Sequence, residues 1–235
     1  LVCLLCKCFS SDLYIMTHWR CVGLVSTSNY KKLLSKIDKI IAISNAVKDS
    51  LPHDLQEKAR VIYDGMDVED LYTKNIVNRG KLRKILNLSD GVFLIGTIGS
   101  YTIIKCHELI IDSMASANDT NCHAVLFGST PNVESEKYLK YLKEKVSKYK
   151  LESRVHFVDN TIIEMPREYI SDIDFFVGAT WNNGMGEGFG LIYIEAMSAQ
   201  LPVVAINVGA VGEIISDETN GFLIEKNSSD ELWGK

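Results

Sequence analysis

The sequence predicts an α/β protein built from doubly wound parallel sheets. Short, nearly continuous apolar runs alternate with helical stretches from residue 38 onward. The runs lack a polar residue at every second position, which is typical of parallel strands that helices cover on both faces. A glycine-rich turn at 184–190 follows one of these runs, at the carboxyl end of a predicted strand, where such sheets bind their ligands.

The predicted elements follow one another in a regular order. A buried strand over 37–44 leads into a short helix that Pro52 ends, and a strand over 60–67 closes on a glycine turn. The polar stretch 69–80 is the predicted linker. Beyond it we expect a helix at 80–88, a strand at 92–100, a helix at 107–117, a strand at 122–129, a lysine-rich helix at 137–150, a strand at 154–159, a helix at 165–173, a strand at 174–180, the glycine turn with a helix to 197, a strand at 201–208, a turn and helix at 209–216 and a strand at 220–225.

The composition is that of a globular protein of 235 residues, 46% hydrophobic and 23% charged. A net charge of −5 argues against general binding of nucleic acid. The lysines of 137–150 are interpreted as the solvated side of an amphipathic helix, with a membrane-surface role as the lesser alternative. The apolar runs are far shorter than the ~20 residues of a membrane span, and the segment 1–9 does not match a signal peptide. We expect a cytoplasmic location, with peripheral contact on the inner face of a membrane left open.

Cysteines supply a possible alternative chemistry. Six are present, at positions 3, 6, 8, 21, 106 and 122. Their spacing does not match paired zinc knuckles, and their neighbours are mostly apolar. We therefore expect buried free thiols, a reducing compartment and no metal site.

The segment from Gly186 to Met197 is where the chemistry is expected. Its glycines allow backbone N–H groups to approach a ligand, and the N-terminus of the following helix favours a phosphate. Glu187 lies in the turn and Glu195 about two helical turns further on. Carboxylates accept hydrogen bonds from sugar or ribose hydroxyls, so the segment suits a ligand with both phosphate and hydroxyl groups, such as a nucleotide sugar.

The motifs resemble those of the family 4 glycosyltransferases of the GT-B fold, from about Asp38 to Leu232. Glu187 and Glu195, with seven residues between them, are similar to that family's glutamate pair, within the segment EGFGLIYIEAMSAQLPVVA. RVIYDGMDVEDLY resembles the strand and turn that lead into the interdomain linker. IGTIGSYTIIKCHELI and VGAVGEIISDETNGFLI resemble two further segments in the expected order.

The resemblance implies two Rossmann-like domains and a set of site residues. Residues 1–72 would be a remnant of the N-terminal acceptor domain with the linker, and 73–235 the nucleotide-sugar-binding domain. The chain would be a fragment, cut at both ends. The implied catalytic residues are Glu187 and Lys105, the latter at the donor diphosphate. The implied substrate-binding residues are Gly188, Phe189, Gly190 and Leu191 at the transferred sugar, Glu195 at the ribose, Asn160 and Thr161 at the nucleobase, and Ser100 near the diphosphate.

The implied reaction transfers a sugar from a nucleotide diphosphate sugar to an acceptor hydroxyl, with retention and without a metal or other cofactor. The acceptor would be a glycan, a lipid or a small molecule. Two alternatives stay open: a binding module without transfer activity, and another GT-B chemistry such as that of an epimerase or a phosphorylase. The glutamates could also simply cap and decorate a surface helix.

Three positions depart from the family pattern. Ser100 stands where an arginine is usual, and a hydroxyl cannot replace a bidentate cation toward a diphosphate. Arg154 and Arg167 are the candidate substitutes. Cys106 and Gln200 each replace a usual glycine, which is expected to affect local backbone shape. Two further residues have two interpretations each: His18 as a loop remnant or as packing, and Glu213 as a donor contact or as a helix cap.

Overall fold

The fold consists of two parallel sheets. A computed structural model describes residues 13–23, 34–116, 120–181, 186–225 and 231–232. In this part of the chain every strand pairing is parallel, in one three-stranded and one six-stranded sheet. The predicted α/β class with parallel sheets is confirmed.

The chain divides into two compact units. The smaller unit is drawn from the ranges 1–65, 182–190 and 208–213. Its elements are β1 (Met16–Trp19), β2 (Lys39–Ala42), α1 (Asn45–Asp49), α2 (His53–Gln56) and β3 (Ala59–Val61). Strand β2 is central and pairs with both others. Its Ile40 belongs to a buried cluster with Ile37, Leu51 and Leu55, which is the core expected for the apolar run that the sequence shows.

The larger unit takes in the ranges 66–181, 191–207 and 214–235. Its elements are α3 (Val68–Asn78), α4 (Lys81–Ile85), β4 (Phe93–Ile98), α5 (His107–Ser116), β5 (Cys122–Phe127), α6 (Val133–Lys148), β6 (Val155–Val158), β7 (Phe175–Gly178), α7 (Leu191–Ser198), β8 (Val203–Ile206), α8 (Val211–Ile214), which ends inside it, and β9 (Phe222–Ile224). The strand order is β6-β5-β4-β7-β8-β9. Both faces of the sheet are covered: Ile95 of β4 lines a small apolar cavity with Ile110 of α5, while Gly96 leaves room for Ile173 on the opposite face.

The strand order reverses between β4 and β7. From β4 the chain moves outward through β5 to β6, and it then returns to place β7 on the other side of β4. In doubly wound sheets ligands bind outside the carboxyl ends of the strands at such a reversal. The residues that follow β4 and β7 are therefore the first place to look for a site.

Three sequence expectations need correction. The stretch 69–80, predicted as a linker, is mostly helix α3. The helix was not predicted because its buried face carries the polar Asn75, which interrupts the helical spacing of apolar residues. The segment 165–173, predicted as a helix, forms two 3₁₀ turns, Pro166–Glu168 and Ile170–Asp172. Strand β1 was not predicted, and His18 lies on it.

The remaining expectations on organisation have different outcomes. The division into domains at residue 72 stays a prediction. Cys3, Cys6 and Cys8 lie outside the described residues. The expected burial is confirmed for Cys106 and Cys122 and is wrong for Cys21, which is exposed. Among the helices that the structure describes, none combines the length and the apolar character needed to cross a membrane.

Candidate active site

Lys105 and Thr180 meet at the reversal of the strand order. Lys105 ends the 3₁₀ turn Ile103–Lys105, which follows β4, and Thr180 follows β7. The ammonium Nζ of Lys105 donates to Oγ1 of Thr180 over 3.3 Å. The backbone joins the same two loops, because the Trp181 N–H donates to the Ile104 carbonyl over 2.8 Å. A positive charge is thus fixed where a doubly wound sheet binds ligands.

The loop around Lys105 has little room to change. The stem of the lysine lies over Gly99, where an added Cβ would stand 3.2 Å from the Cγ of Lys105. Cys106, directly after the lysine, has a left-handed backbone, with φ 44° and ψ 41°. This conformation favours glycine, which explains why a glycine is usual at that position in the family that the sequence resembles.

Ser100 faces another hydroxyl. It follows β4, and its Oγ lies 3.4 Å from Oγ of Ser129, which follows the neighbouring strand β5. Of the two arginines considered as substitutes, Arg154 directly precedes β6, and its Nη2 donates to the Met114 carbonyl over 3.4 Å. Arg154 therefore lies at the amino ends of the strands, the edge opposite to the candidate site.

Asn160 and Thr161 lie in an exposed turn after β6. The turn is closed by Asp159, whose Oδ1 accepts from the Thr161 N–H over 2.9 Å and from the Thr161 hydroxyl over 2.5 Å. These hydrogen bonds hold the pKa of the Asp159 carboxyl below its usual value. The turn is at the same carboxyl edge as Ser100 and Thr180, as the parallel register requires.

Glu195 is a partly buried carboxylate with a cationic neighbour. It lies in the second turn of α7, and its side chain is 13% exposed. Burial raises the pKa of Glu195, and the charge of Arg167 acts in the opposite direction. Nη1 of Arg167 lies 3.5 Å from Oε1 of Glu195. The turn Pro166–Glu168 thus brings the second candidate arginine to the carboxylate expected to hold a ribose.

The glycine-rich turn is closely packed within the smaller unit. The Gly188 carbonyl accepts from the Ser44 hydroxyl over 2.6 Å, and a Cβ on Gly188 would overlap the Arg20 carbonyl oxygen. The buried ring of Phe189 stacks on Tyr63 with centroids 5.4 Å apart. Gly190 has a φ of 95°, a conformation that favours glycine at the start of α7. Close approach thus requires glycine at 188, and the backbone conformation favours it at 190.

Glu187, in the same turn, is held through its backbone. It forms a parallel bridge with Gly209, and its carbonyl accepts from the Ala210 N–H over 2.9 Å. Its side chain is half-buried. The catalytic role expected for Glu187 stays a prediction.

Glu213 caps a helix that is distant in sequence. Its carboxylate accepts from the N–H groups of Asn45 and Ala46, over 2.9 and 2.8 Å, at the N-terminus of α1. It also accepts from the Asn45 side chain and from the Tyr63 hydroxyl. These four hydrogen bonds favour the capping interpretation of Glu213, since they place the carboxylate on orphan donors of a helix end.

Sequence reasoning missed Thr180, and it considered Arg167 as a cation for the diphosphate rather than as the partner of Glu195. The signal for Thr180 was its place after a buried strand next to the reversal, which becomes apparent only when the strand order is known. The pairing of Arg167 with Glu195 gave no signal, because the position of Arg167 depends on 3₁₀ turns that were predicted as a helix. Within the described ranges, no group of three or more His, Cys, Asp or Glu residues is arranged to hold a metal ion.

The fold and these side chains define a Rossmann-like ligand-binding domain with a lysine at its switch point. Comparisons with known proteins show the family to which this domain belongs. The family described as Glycosyl transferases group 1 matches residues 78–235, so the chain belongs to that family. The solved structure of HepE from Anabaena in complex with UDP-glucose superposes with a TM-score of 0.83 at 24% identity, covering 98% of this chain and 63% of that one. The GT-B fold expected from the sequence is thereby confirmed.

Curated relatives agree with this membership. An uncharacterized glycosyltransferase of Methanocaldococcus jannaschii, MJ1178, is 28% identical over 206 residues, which cover 88% of this chain and 50% of that protein. The lipopolysaccharide core biosynthesis mannosyltransferase LpsB of Rhizobium meliloti is 30% identical over 202 residues, which cover 83% of this chain and 53% of that protein. The chain spans about half the length of these relatives.

Proposed function

We propose that the protein is a retaining glycosyltransferase and that this chain holds its nucleotide diphosphate sugar. The observation that carries the proposal is the fixed ammonium of Lys105 at the switch point, bonded to Thr180 across the two loops. The match of HepE with bound UDP-glucose and the name of the mannosyltransferase LpsB support it. The acceptor would be a carbohydrate or lipid-linked hydroxyl.

The chemistry follows from the charges. When the donor bond breaks, negative charge develops on the departing nucleoside diphosphate. Lys105 would offset that charge, together with backbone N–H groups at the N-terminus of α7, which is electrostatic stabilisation of the transition state. Glu187 and the turn Gly188–Gly190 with Leu191 would hold the transferred sugar, and Glu195 the ribose. Asn160 and Thr161 would line the nucleobase pocket. We propose that no metal ion or other cofactor is needed for this step.

Donor binding is tested first, by isothermal titration of the chain with UDP, GDP, UDP-glucose, UDP-N-acetylglucosamine and GDP-mannose. We expect the chain to bind either the uridine or the guanosine nucleotides. Lys105→Gln should weaken this binding about 10- to 100-fold, which corresponds to the loss of one hydrogen bond to a charged group. Glu195→Ala should also weaken binding. Lys137→Gln is the matched control, because this exposed lysine pairs only with Glu134 on its own helix among the contacts seen. Equal affinities of Lys105→Gln and Lys137→Gln would contradict the proposed role of Lys105.

Transfer is tested on the full-length protein with labelled donor. A transferase gives a glycosylated acceptor with the anomeric configuration of the donor. An epimerase changes the sugar without an acceptor, and a phosphorylase requires free phosphate. Either of the last two results would replace the proposal by another GT-B chemistry.

One observation favours a binding module as the second candidate function. Ser100, which contacts the Ser129 hydroxyl, stands where the family pattern has a cation. The protein therefore offers less positive charge to a diphosphate than the family pattern does. The variant Ser100→Arg separates the two functions. If donor binds but transfer is absent, and Ser100→Arg restores transfer, the natural chain is a binder. If transfer occurs in the natural protein, the serine is compatible with catalysis.

We propose on the same basis that the protein acts in the cytoplasm, where it would use nucleotide sugars as donors. Peripheral contact with the inner face of a membrane is the alternative for a lipid-linked acceptor. Helix α6 supports that alternative, with exposed lysines at 137, 140, 143 and 148. Cosedimentation of the full-length protein with anionic and neutral vesicles would distinguish the two locations.

A further inference from the structure

Glu195 needs a fixed position to recognise a ribose. A carboxylate can accept hydrogen bonds from two neighbouring hydroxyls at once, one on each oxygen. Discrimination between one and two hydroxyls is sharp only when the carboxylate cannot turn away to another partner. Glu195 is 13% exposed and lies on the second turn of α7, so a neighbouring group must hold its charge in this position.

Arg167 is that neighbour. Its guanidinium approaches a single oxygen, Oε1, at 3.5 Å. A contact with one carboxylate oxygen fixes the direction of the group without a bidentate bond, which would engage both oxygens. The arginine side chain is 46% exposed, so part of its planar set of donors faces solvent. Arg167 therefore holds the Glu195 carboxylate from one side, at Oε1.

The turn that carries Arg167 is itself clamped by helix α3. Nδ2 of Asn75, a residue only 1% exposed, donates to the Arg167 carbonyl over 2.8 Å. Oδ1 of the same side chain accepts from the Ser171 N–H over 3.0 Å. Nδ2 of Asn78 donates to the Glu168 carbonyl over 3.1 Å. Two amide side chains thus fix the 3₁₀ turn, which explains how an exposed arginine is kept beside Glu195.

We infer that Arg167 is a positioning residue for the donor, and that through Glu195 it makes this site selective for ribonucleotides over 2′-deoxyribonucleotides. The inference rests on the proposed function. In this role Arg167 acts through Glu195 and not on the reacting atoms. It orients the carboxylate that receives the ribose 2′ and 3′ hydroxyls.

The experiment compares the affinities of UDP and 2′-deoxy-UDP, or of GDP and 2′-deoxy-GDP if guanine is the base bound. For the natural chain we expect the ribonucleotide to bind about tenfold more tightly or better, the value of one hydrogen bond to a charged group. Arg167→Met should reduce this ratio of affinities to about twofold or less, mainly by weakening the binding of the ribonucleotide. Arg167→Lys should restore part of it, since it keeps the charge and loses the planar fork. Arg79→Met, an equal loss of charge at an exposed position, is the control.

The outcomes are separable. A ratio that is unchanged in Arg167→Met overturns the inference, even if both nucleotides bind more weakly, because that pattern indicates contact with the diphosphate or general damage to the fold. A ratio that falls in Arg167→Met and not in Arg79→Met supports it. If the folded natural chain binds no nucleotide at all, the proposed function fails, and the inference fails with it.

Discussion

Among the described residues, five other than glycine have a left-handed backbone, and two of them, Cys106 and Gln200, stand where the family pattern has glycine. Cys106 has a φ of 44° and Gln200 a φ of 62°, both in the left-handed region. Gln200 follows α7, where the N–H of Leu201 donates to the Ala196 carbonyl over 3.1 Å. This bond is typical of a helix end at which glycine is the usual residue. The predicted effect of both substitutions on backbone shape stays a prediction, while the dihedral angles show at each position the left-handed conformation that favours glycine.

Gln200→Gly should stabilise the protein by about 0.5–1 kcal/mol. Removing the side chain relieves the left-handed strain, and the greater freedom of glycine in the unfolded chain offsets part of the gain. The side chain is exposed, so no packing is lost. Urea unfolding measures the change. Gln200→Ala is the control and should have almost no effect, because alanine keeps the Cβ; an equal gain from alanine would show that strain is not the cause.

His107 makes stability depend on pH. It is 1% exposed at the start of α5, with the Tyr101 ring 5.1 Å away. Burial, helped by the charge of Lys105, lowers its pKa from 6.5 to about 4. Because the unfolded chain then binds the proton more tightly, the contribution is fully present above pH 6.5 and is lost as the pH falls toward 4. The shift corresponds to about 3 kcal/mol.

His107→Leu should therefore flatten the dependence of the unfolding free energy on pH between 4 and 6.5. The measurement is a series of urea unfolding curves across that range. His123 and His156, whose rings form a hydrogen-bonded pair, also have lowered pKa values and retain their own dependence in the variant. His53→Leu, at an exposed histidine, is the control. Parallel curves for the natural chain and His107→Leu would contradict the assignment.

At the scale of single elements, helix α4 depends on a carboxylate from another segment. Asp172, 4% exposed, accepts from the N–H groups of Gly80 over 2.5 Å and of Leu82 over 2.8 Å. These are orphan donors at the N-terminus of α4. Asp172→Ala should cost about 1–3 kcal/mol of unfolding free energy, and Asp172→Asn less, because the amide oxygen still accepts one bond. Asp90→Ala, at an exposed position, should be nearly neutral in the same unfolding experiment.

The position of α7 depends on a glycine in β7. A Cβ on Gly178 would overlap the ring of Tyr193, which is fully buried on α7. Gly178→Ala should therefore cost about 1–3 kcal/mol by overpacking and displace the helix that carries Glu195, so that nucleotide affinity falls as well. Calorimetric titration and urea unfolding measure the two effects. Gly91→Ala, where nothing lies within 4 Å of the added Cβ, is the control. A stable Gly178→Ala variant with normal affinity would refute this coupling.

The elements show where sequence reasoning succeeds and where it fails. Strands β4, β5, β7 and β8 were predicted, because a buried parallel strand has a continuous apolar signature. Helix α3 was not, because its core position is Asn75, whose amide bonds to Arg167 and Ser171 rather than packing with apolar groups. The same side chain also hydrogen-bonds to the 3₁₀ turns of 165–173, so both errors lie at one buried amide.

At the scale of the whole molecule, ligand binding should appear as stability. A donor nucleotide at 100 times its dissociation constant should add about 2.7 kcal/mol, or roughly 5–10 °C in melting temperature for a chain of this size. The shift should be clearly smaller with Glu195→Ala at the same concentration, because a tenfold weaker site leaves only about half of the stabilisation. Thermal melts monitored by circular dichroism measure the shift, and an undiminished shift in Glu195→Ala would place the nucleotide elsewhere.

The site was predictable only in part at this scale. Lys105 and Ser100 were expected near the diphosphate from the resemblance to the family, and the structure places both after strand β4. The pairing of Glu195 with Arg167 does not follow from that resemblance, since ion pairs between loops depend on how each loop turns. Glu213 shows the same limit: its partners Asn45 and Tyr63 are 168 and 150 residues away in sequence.

The carboxylate cap of Glu213 on helix α1 has a consequence for biosynthesis. The smaller unit combines early residues with the ranges 182–190 and 208–213, so its contacts close very long loops. Contacts of this separation form slowly. As the chain leaves the ribosome, helix α1 cannot receive the Glu213 carboxylate until residue 213 has emerged, so the smaller unit is completed late. Strands β4 to β6 can pair earlier, because they come from one continuous stretch of the chain. For this chain, synthesis from the amino end should not mean folding from the amino end.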